Sequence, residues 1–399
     1  MRSVPMVRLA LTVGVAAVTL APTRAQQTWI VDAQSRPGTQ FTALQPAFDA
    51  ASAGDVVIVR DGSYHGATLD KGLSVLAEPG AVIDQWFVLL AEPRGLVVQD
   101  VPAGEVASVR GLAFGNIVGQ TSLYLAVANC AGVVHLEELD VSGGSTSLNE
   151  QGIVISDCAH ASLVRCRVVG RSGVWIRRSS VALVDCTVSG YPEHPVLPFV
   201  PWVGPASGID AREGSRVWAS HCDLRGGSGF RSPGGSGVML VASELWLTGD
   251  ENSLVSGAGS SYQSGWAIGG DGTATYDPIV PLVFNIQPTV TATATDVPAL
   301  RVGAAVRGQS WDGDLRGPAG RPYAVALALP GAPLGTPWGL LWLNPTLLLI
   351  ANSGVLDAGG TATWSLPVPD AQGVSVTWQA AVGTTGGLRL SNPTTSVVE

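Results

Sequence analysis

The chain has 399 residues, which is more than one ordinary core usually serves and indicates about two domains. Its residues are 46% hydrophobic and 13% charged, with 50 glycines and 26 prolines, which excludes a disordered chain and favours β structure with frequent turns. The formal net charge of −9 argues against binding to nucleic acid, because clustered lysines and arginines must meet the phosphate backbone.

The first 25 residues have the three parts of a secretory signal peptide. Arg2 and Arg8 supply the basic start, and Leu9–Ala21 is a short apolar run. Small residues around Ala25 offer a cleavage position. No later stretch is long and uncharged enough to span a membrane. The sequence therefore predicts an exported protein, secreted or at the cell surface, with no membrane span in the mature chain.

A short amphipathic helix and then a buried strand are expected after this leader. Thr42 is the expected N-cap, and Leu44, Ala47 and Phe48 form the inner face. The apolar run Gly54–Val59 follows as the strand. Such a helix would cover the open end of a solenoid, whose first coil otherwise exposes an unpaired edge.

The middle of the chain contains an internal repeat. One motif alternates apolar and polar residues and ends in a turn, at Leu136–Gly143, Leu163–Gly170, Leu183–Gly190 and Trp218–Gly226. The other motif precedes it, at Gln151–Ser156, Ser172–Arg177, Ser207–Arg212 and Ser236–Val241. Each unit is therefore expected to hold two short strands separated by turns rich in Ser, Gly and Asp.

The repeat length fits one coil of a β-solenoid. Cys166 and Cys186 are 20 residues apart, and Leu139 and Cys166 are 27 apart. In such a coil each strand pairs with its equivalent one coil away, at ~4.8 Å along the axis, so equivalent side chains stack. Leu139, Cys166, Cys186 and Cys222 are predicted to form one inward row. Stacking alone permits disulfides, but free thiols that pack as compact hydrophobes are the favoured interpretation.

Two of these segments carry a family resemblance. The stretch from Thr42 to Tyr64 resembles the opening of the pectin-lyase-like superfamily, and the Ser-Gly-Ile/Val strands resemble its right-handed β-helix repeat families. The resemblance covers about residues 28–270. It implies an all-β chain with a right-handed single-stranded parallel β-helix and an N-terminal capping helix. Because that superfamily includes lyases, esterases, hydrolases, phage tailspikes and adhesin-like proteins, it implies a fold and no single activity.

The pattern changes at about Asp271. Pro278 and Pro281 interrupt regular structure, and longer alternating strands follow from Ala299. Their spacing predicts a β-sandwich-like domain, and Gly387–Pro393 resembles the closing strand of C-terminal β-domains on exported bacterial repeat proteins. The expected organisation is a signal peptide at 1–25, the parallel β-helix at 26–272, a linker with a first strand at 273–298, and the β-sandwich-like domain at 299–399.

The tryptophans of this second region allow two interpretations. They lie at positions 338, 342, 364 and 378. They could stack on sugars, but alternating strand positions favour packing in the core of the sandwich.

Function must lie on the outer faces and loops of a β-helix, because stacked side chains fill its interior. The coil alignment predicts one outer row of Glu138, Arg165, Asp185 and His221, and another of Asp140, Arg167, Thr187 and Asp223. Such rows can be a salt-bridge ladder worth about 0–1 kcal/mol per exposed pair. As the alternative, Arg165 and Asp185 are substrate-binding candidates.

The Ser-Gly strands place polar side chains on another outer face. Trp175 and Asp210 align in one outward row, and Arg177 and Arg212 lie two positions along. Arginine forks bind carboxylates in pairs, and an aspartate can serve as a base or a calcium ligand. Asp210, Arg177 and Arg212 are therefore the candidate catalytic residues, and Trp175 is a substrate-binding candidate.

A long insertion could form a wall over that face. Between Cys186 and Cys222 the spacing grows to 36 residues, which creates the proline-rich loop Tyr191–Pro205. Its five prolines hold it extended and stiff. His194 and Trp202 within it are further substrate-binding candidates.

These features favour an exported β-helix protein that binds carbohydrate or acts at the cell surface, with a polysaccharide or cell-surface glycan as partner. One alternative is a polysaccharide lyase or glycoside hydrolase acting on an acidic polysaccharide, with calcium as the expected cofactor of a lyase. Against it, Asp210 has no obvious stacked acidic partner, whereas glycosidases usually need two carboxylates ~5–9.5 Å apart. The remaining alternative is a structural or adhesive surface protein without a small-molecule site.

Overall fold

The computed structural model is all-β, and its first part is a right-handed parallel β-helix. It describes residues 25–84, 95–115, 124–141, 151–192, 205–229, 233–249, 252–258, 265–278 and 286–399. The predicted signal peptide, apart from Ala25, lies outside these residues. Most of the proline-rich loop also lies outside them, and His194 and Trp202 with it.

Three parallel sheets run along the β-helix, and each full coil passes once through each sheet. Sheet A contains β1 (Thr28–Val31), β2 (Val56–Val59), β5 (Ser74–Ala77), β8 (Val106–Arg110), β11 (Val133–Glu137), β14 (His160–Val164), β17 (Ser180–Val184), β20 (Arg216–Ser220), β23 (Glu244–Thr248), β26 (Thr273–Tyr276) and β27 (Thr291–Ala294). Sheet B contains β3 (Gly62–Tyr64), β6 (Ala81–Ile83), β9 (Ala113–Phe114), β12 (Asp140–Val141), β15 (Arg167–Gly170), β18 (Thr187–Gly190), β21 (Asp223–Arg225) and β24 (Ser253–Val255). Sheet C contains β4 (Ala67–Leu69), β7 (Leu96–Gln99), β10 (Leu125–Ala128), β13 (Ile153–Ser156), β16 (Val174–Arg177), β19 (Ile209–Arg212), β22 (Val238–Val241) and β25 (Ile268–Gly270).

The expectation of two strands per coil is wrong, since each full coil has three. The missed strand is the one in sheet B, directly after the inward Leu or Cys; β12 spans only Asp140–Val141 and β15 spans Arg167–Gly170. Segments of two to four residues are too short to show an alternation of their own in the sequence.

The capping helix α1 spans Leu44–Ala50, and Leu44, Ala47 and Phe48 are buried as predicted. Its N-cap residue is Ala43, and no side chain caps it, so the assignment of Thr42 is wrong. The reason is that Phe41 still bridges Val31 in an extended conformation, which delays the start of the helix.

The inward row of the repeat is confirmed. Leu139, Cys166, Cys186 and Cys222 are buried in the core of the β-helix. Their register follows the strand pairs beside them, such as Arg167 with Thr187. All five cysteines are free, as the favoured interpretation held. The residue before each row member has a positive φ, as at Arg165 (53°) and Asp185 (54°), and this corner turns the chain from sheet A into sheet B.

The parallel sheet extends past residue 272. The last two strands of sheet A, β26 and β27, lie within the segment 273–298. Sheet A therefore continues beyond residue 272 into the segment expected to be a linker. The division into two domains stays a prediction.

The C-terminal part is a sandwich of two antiparallel sheets. The smaller sheet contains β28 (Ala299–Val302), β29 (Ser310–Arg316) and β34 (Thr361–Pro367). The larger sheet contains β33 (Leu349–Val355), β30 (Pro322–Ala328), β35 (Ser375–Thr384) and β36 (Gly387–Leu390), with β37 (Thr394–Val397) also paired to β35. A hairpin of β31 (Pro330–Thr336) and β32 (Gly339–Leu343) and a short 3₁₀ turn at Pro345–Leu347 complete it. Leu300, Trp311 and Trp378 lie in the core between the sheets.

Candidate functional site

The outer face of sheet A carries a continuous line of side chains, one from each coil. We call it the central row. Strand register aligns Ser74, Ser108, His135, Ser162, Ala182, Trp218, Trp246 and Thr275. The sandwich covers the first part of this row, because Ser74 donates to the Gly373 carbonyl and Ser108 shares a hydrogen bond with Ser375.

A buried charge network fastens the C-terminal strand to this face. Glu137 is fully buried, and its Oε2 accepts from the backbone N–H of Val397 at 2.8 Å and is 2.9 Å from His135 Nε2. Arg110 donates to the Val397 carbonyl at 3.1 Å. Burial pushes the pKa of Glu137 up, but the His135 hydrogen bond and the charges of His135 and nearby arginines outweigh it and hold this pKa below its usual value. We call these contacts of Glu137, His135 and Arg110 with Val397 the latch. Its Glu137 carboxylate is ionised and hydrogen-bonded.

Ser162, His135 and Glu137 are arranged like the nucleophile, base and acid of a catalytic triad. Ser162 Oγ is 2.8 Å from His135 Nδ1, and His135 Nε2 is 2.9 Å from Glu137 Oε2. All three are buried under the C-terminal strand, with exposed fractions of 2%, 0% and 0%. A substrate has no access to the hydroxyl in this arrangement. The three residues therefore act in the latch.

Further along the central row, two tryptophans stack. The rings of Trp218 and Trp246 lie parallel, with centroids 4.4 Å apart and an interplanar angle of 2°. Trp342 of the sandwich meets the Trp218 ring edge-on at 5.1 Å. Trp218 is buried by these contacts, whereas Trp246 is half-buried. The next position in the row is Thr275, whose small side chain ends the aromatic stack.

A cavity opens where the stack ends, between sheet A and the sandwich. We call it the junction cavity. Its volume is about 350 Å³, within the usual range for ligand pockets of roughly 300–1,000 Å³. Its aromatic lining is Trp218, Trp246 and Trp338, and Thr275 and Thr295 add hydroxyl groups. The cavity therefore combines flat apolar rings with polar groups.

Trp338 is held over the cavity by a tight turn. It lies in the two-residue loop between Thr336 and Gly339, which are paired across the hairpin. Thr336 Oγ1 donates to the Gly339 carbonyl at 2.7 Å, and the Trp338 carbonyl accepts from Leu390 at 3.1 Å. Gly339 has φ +128°, which favours glycine. Trp338 is 48% exposed.

Charged side chains surround the rings. Arg216 and Glu244 are neighbours on adjacent coils, with Arg216 Nε 3.6 Å from Glu244 Oε2. Asp296 accepts a hydrogen bond from Thr385 at 3.4 Å, and the exposed Arg389 also lines the cavity. Two acidic and two basic side chains thus line the junction cavity. They can form oriented hydrogen bonds with a ligand that carries many hydroxyl groups.

The prediction of core packing is confirmed for some tryptophans and wrong for one. Trp342 and Trp378 are fully buried, and Trp364 packs against the sandwich core. Trp338 is exposed because it occupies a turn and not a strand interior. The sequence interpretation also missed Trp218 and Trp246, although their 28-residue separation matches one coil.

The residues proposed as catalytic from the sequence do share one outer face, that of sheet C. Trp175 is paired in register with Asp210, and Arg177 with Arg212. Arg212 donates two hydrogen bonds of 2.8 Å to the two carboxylate oxygens of Asp210. Arg177 pairs with Glu213 at 2.7 Å. Asp210 is thus held in a two-bond ion pair within its own strand, and its catalytic role stays a prediction.

An exposed ion-pair ladder continues on that face. Arg178 pairs with Asp157 at 2.6 Å and with Glu213 at 2.5 Å. The hydrogen bond of Arg178 to Asp157 lowers the pKa of this carboxyl. Such pairs contribute little to stability where they are exposed.

Arg165 and Asp185 lie at the contact between the β-helix and the sandwich. Arg165 binds Glu137 and Glu138, and Asp185 is 2.9 Å from Arg301 of β28. Asp185 thus pairs with the sandwich directly, and Arg165 also donates to the Val302 carbonyl of β28 at 3.4 Å. Their role in substrate binding stays a prediction.

No calcium site forms from the residues described. Within those ranges, no three His, Cys, Asp or Glu side chains lie close enough together to hold a metal ion. The carboxylate of Asp210 is occupied by Arg212. Among the described residues, the carboxylate considered as a calcium ligand is therefore already paired with an arginine. Over the same part of the chain, no helix combines the length and the apolar character needed to cross a membrane.

Known proteins give no guide to the function of this chain. No protein family and no curated protein matches the sequence. Among solved structures, the chain is similar to the enzymatically active domain of tailspike protein 4 of bacteriophage CBA120, with 10% identity and a TM-score of 0.31. The match covers 86% of this chain and 64% of that structure, so the chain spans less than two thirds of it.

Proposed function

We propose that the protein binds a carbohydrate in the junction cavity. The supporting observation is the Trp218–Trp246 stack, which ends at Thr275 and leaves the outer face of Trp246 beside a cavity. A sugar ring has an apolar face that can continue such a stack, and its hydroxyls can bond to the charged groups around it. The ligand class that fits is a polysaccharide or cell-surface glycan.

The resemblance of residues 28–270 to the pectin-lyase-like superfamily agrees with this ligand class, because many of its members act on polysaccharides. We propose that the chain is a member of that superfamily. We also propose that the protein is exported to the cell exterior, since residues 1–25 have the features of a signal peptide.

A second candidate function is glycoside hydrolysis at the same cavity. Glu244 and Asp296 both line it, and hydrolysis of a glycosidic bond uses two carboxyl groups. Because Glu244 Oε2 is 3.6 Å from Arg216 Nε, this carboxylate is better placed to bind a ligand than to transfer a proton. Binding is therefore the main proposal.

The test uses the purified protein and a panel of neutral and uronic-acid polysaccharides, with binding measured by isothermal titration calorimetry. Trp338→Ala is expected to weaken binding at least tenfold, about 1.4 kcal/mol, because it removes an exposed ring from the cavity. Trp338→Phe should retain most of the affinity. The matched control is Trp175→Ala, which removes a half-buried ring from sheet C.

The outcomes separate the candidates. Loss of affinity in Trp338→Ala alone supports the junction cavity, and loss in Trp175→Ala alone would place the site on sheet C. New reducing ends that disappear in Glu244→Gln or Asp296→Asn would establish hydrolysis. Absence of binding and turnover across the panel would favour a structural or adhesive surface protein.

A further inference from the structure

The junction cavity is closed at its inner end, towards the earlier coils of the β-helix. There the sandwich covers the central row, and the exposed fractions of Ser162, Ala182 and Trp218 are 2%, 1% and 7%. Trp342 is fully buried, and its ring meets the rings of Trp218 and His160 edge-on at 5.1 and 4.2 Å. Packed rings therefore fill the space behind the cavity, and a ligand on Trp246 has no path along sheet A past Trp218 in the part of the chain that is described.

One side wall of the cavity is a hydrogen-bonded seam between sheet A and the sandwich. Thr248 lies two residues after Trp246 in β23, is fully buried, and donates to Asn392 Oδ1 at 3.4 Å. Asn392 Oδ1 also accepts from the N–H of Leu300, and Asn392 Nδ2 donates to the Leu300 carbonyl, both at 2.8 Å. Ser391 beside it is buried and donates to the Asn392 carbonyl at 2.8 Å. These polar groups are paired with each other, so the seam forms a closed wall.

The remaining boundaries leave the cavity open in one direction. Arg216 and Glu244, which pair at 3.6 Å, line the side opposite the seam, and Trp338 lies over the top. Along the axis of the β-helix, the next strand after Thr275 is β27, the last strand of sheet A. All four residues of β27 are exposed, whereas sheets B and C have already ended at β24 and β25. Among the described residues, the cavity therefore opens towards the C-terminal end of the β-helix.

On the basis of the function proposed above, we infer that the junction cavity binds the free end of a glycan chain and not an internal segment. An internal sugar has a neighbour on both sides, so its chain must leave a binding site in two directions. A terminal sugar has one neighbour, and its ring can lie on Trp246 against the closed end while the chain leaves past Thr275 and over β27. Thr293 of β27 is paired in register with Thr275 and is exposed, so its hydroxyl can bond to the sugars that follow.

Binding stoichiometry tests the inference. Fragments of pectate, alginate, mannan and β-glucan are separated into short and long fractions of known chain concentration, and each is titrated with the purified protein by calorimetry. We expect one protein per chain in both fractions of the glycan that binds, because the two ends of a chain differ chemically and one of them fits the cavity. The Kd per chain should agree within twofold between the fractions. Trp338→Ala should raise this Kd at least tenfold in both fractions, and Trp175→Ala should leave it unchanged.

The other outcomes separate this inference from the proposed function. If the number of proteins per chain grows with chain length and Trp338→Ala still weakens binding, the cavity is the site but it accepts internal segments, and the inference is overturned. If the number grows with length and Trp175→Ala weakens binding, the glycan lies along sheet C, which overturns both. Absence of binding to every fraction overturns the proposed function and the inference with it. Thermal unfolding of Trp338→Ala should match that of the parent protein, because Trp338 occupies an exposed turn.

Discussion

Acid is expected to weaken the contact between the β-helix and the sandwich through one histidine. His160 of β14 is fully buried, and its Nδ1–H donates to the Gly331 carbonyl at 2.9 Å. Its ring also meets Trp342 edge-on at 4.2 Å. Burial lowers the pKa of His160 to about 3, because a charged imidazole would be stripped of water there. The native state therefore keeps this ring neutral.

Proton linkage gives the sign and the size of the change in the free energy of unfolding with pH. In the unfolded chain the His160 pKa returns to 6.5, so below that pH the unfolded state binds more protons than the native state. The stability from a neutral His160 is thus present above pH 6.5 and is lost as the pH falls from 6.5 towards 3. At pH 4 the loss from this group is about 3 kcal/mol.

The ring state is measured by ¹⁵N NMR of histidine-labelled protein, which distinguishes protonated Nδ1 from Nε2. We expect the signal of a neutral ring with its proton on Nδ1 down to about pH 4. Urea unfolding at pH 7 and pH 4 then gives the free energy, with His160→Asn as the matched variant because its amide can still donate to Gly331. A His160 pKa near 6.5, or an equal pH dependence in the variant, would show that burial does not keep this ring neutral.

Three other predictions concern the latch, the thiols and the leader. Glu137→Gln should lower stability by about 1–3 kcal/mol, because it removes the buried carboxylate that binds His135 and the Val397 N–H, although Glu138 still pairs with both arginines; the exposed Glu213→Gln should leave the thermal midpoint nearly unchanged. Burial raises the pKa of Cys166 and Cys186 well above the usual value, so a thiol reagent should modify them only after unfolding; fast labelling of the native protein would contradict this. N-terminal sequencing of protein secreted from a bacterial host should begin at Gln26, and an uncleaved chain would argue against the leader.

The periodic part of the fold could be predicted because its constraints are local and repeated. Each repeat places an apolar residue at the position of Cys166 and a glycine four residues after it, so residues 20 to 36 apart can be aligned from the sequence alone. The third strand could not be found in this way, because β12 has two residues. The N-cap was displaced by one residue because a bridge at Phe41 competes with the helix.

The junction cavity could not be predicted, because two distant segments create it. Trp246 and Trp338 are 92 residues apart, and they face one space only because the sandwich folds back onto sheet A. The coil alignment alone could have paired Trp218 with Trp246. On sheet C the alignment was correct, but it did not show that Arg212 takes both oxygens of Asp210.

A crystal structure of the protein with the oligosaccharide that binds most tightly would show whether the junction cavity is the carbohydrate-binding site. We expect a sugar ring stacked parallel to Trp246, beside Thr275 and under Trp338. A sugar bound over Trp175 on sheet C, with the cavity containing only water, would contradict it.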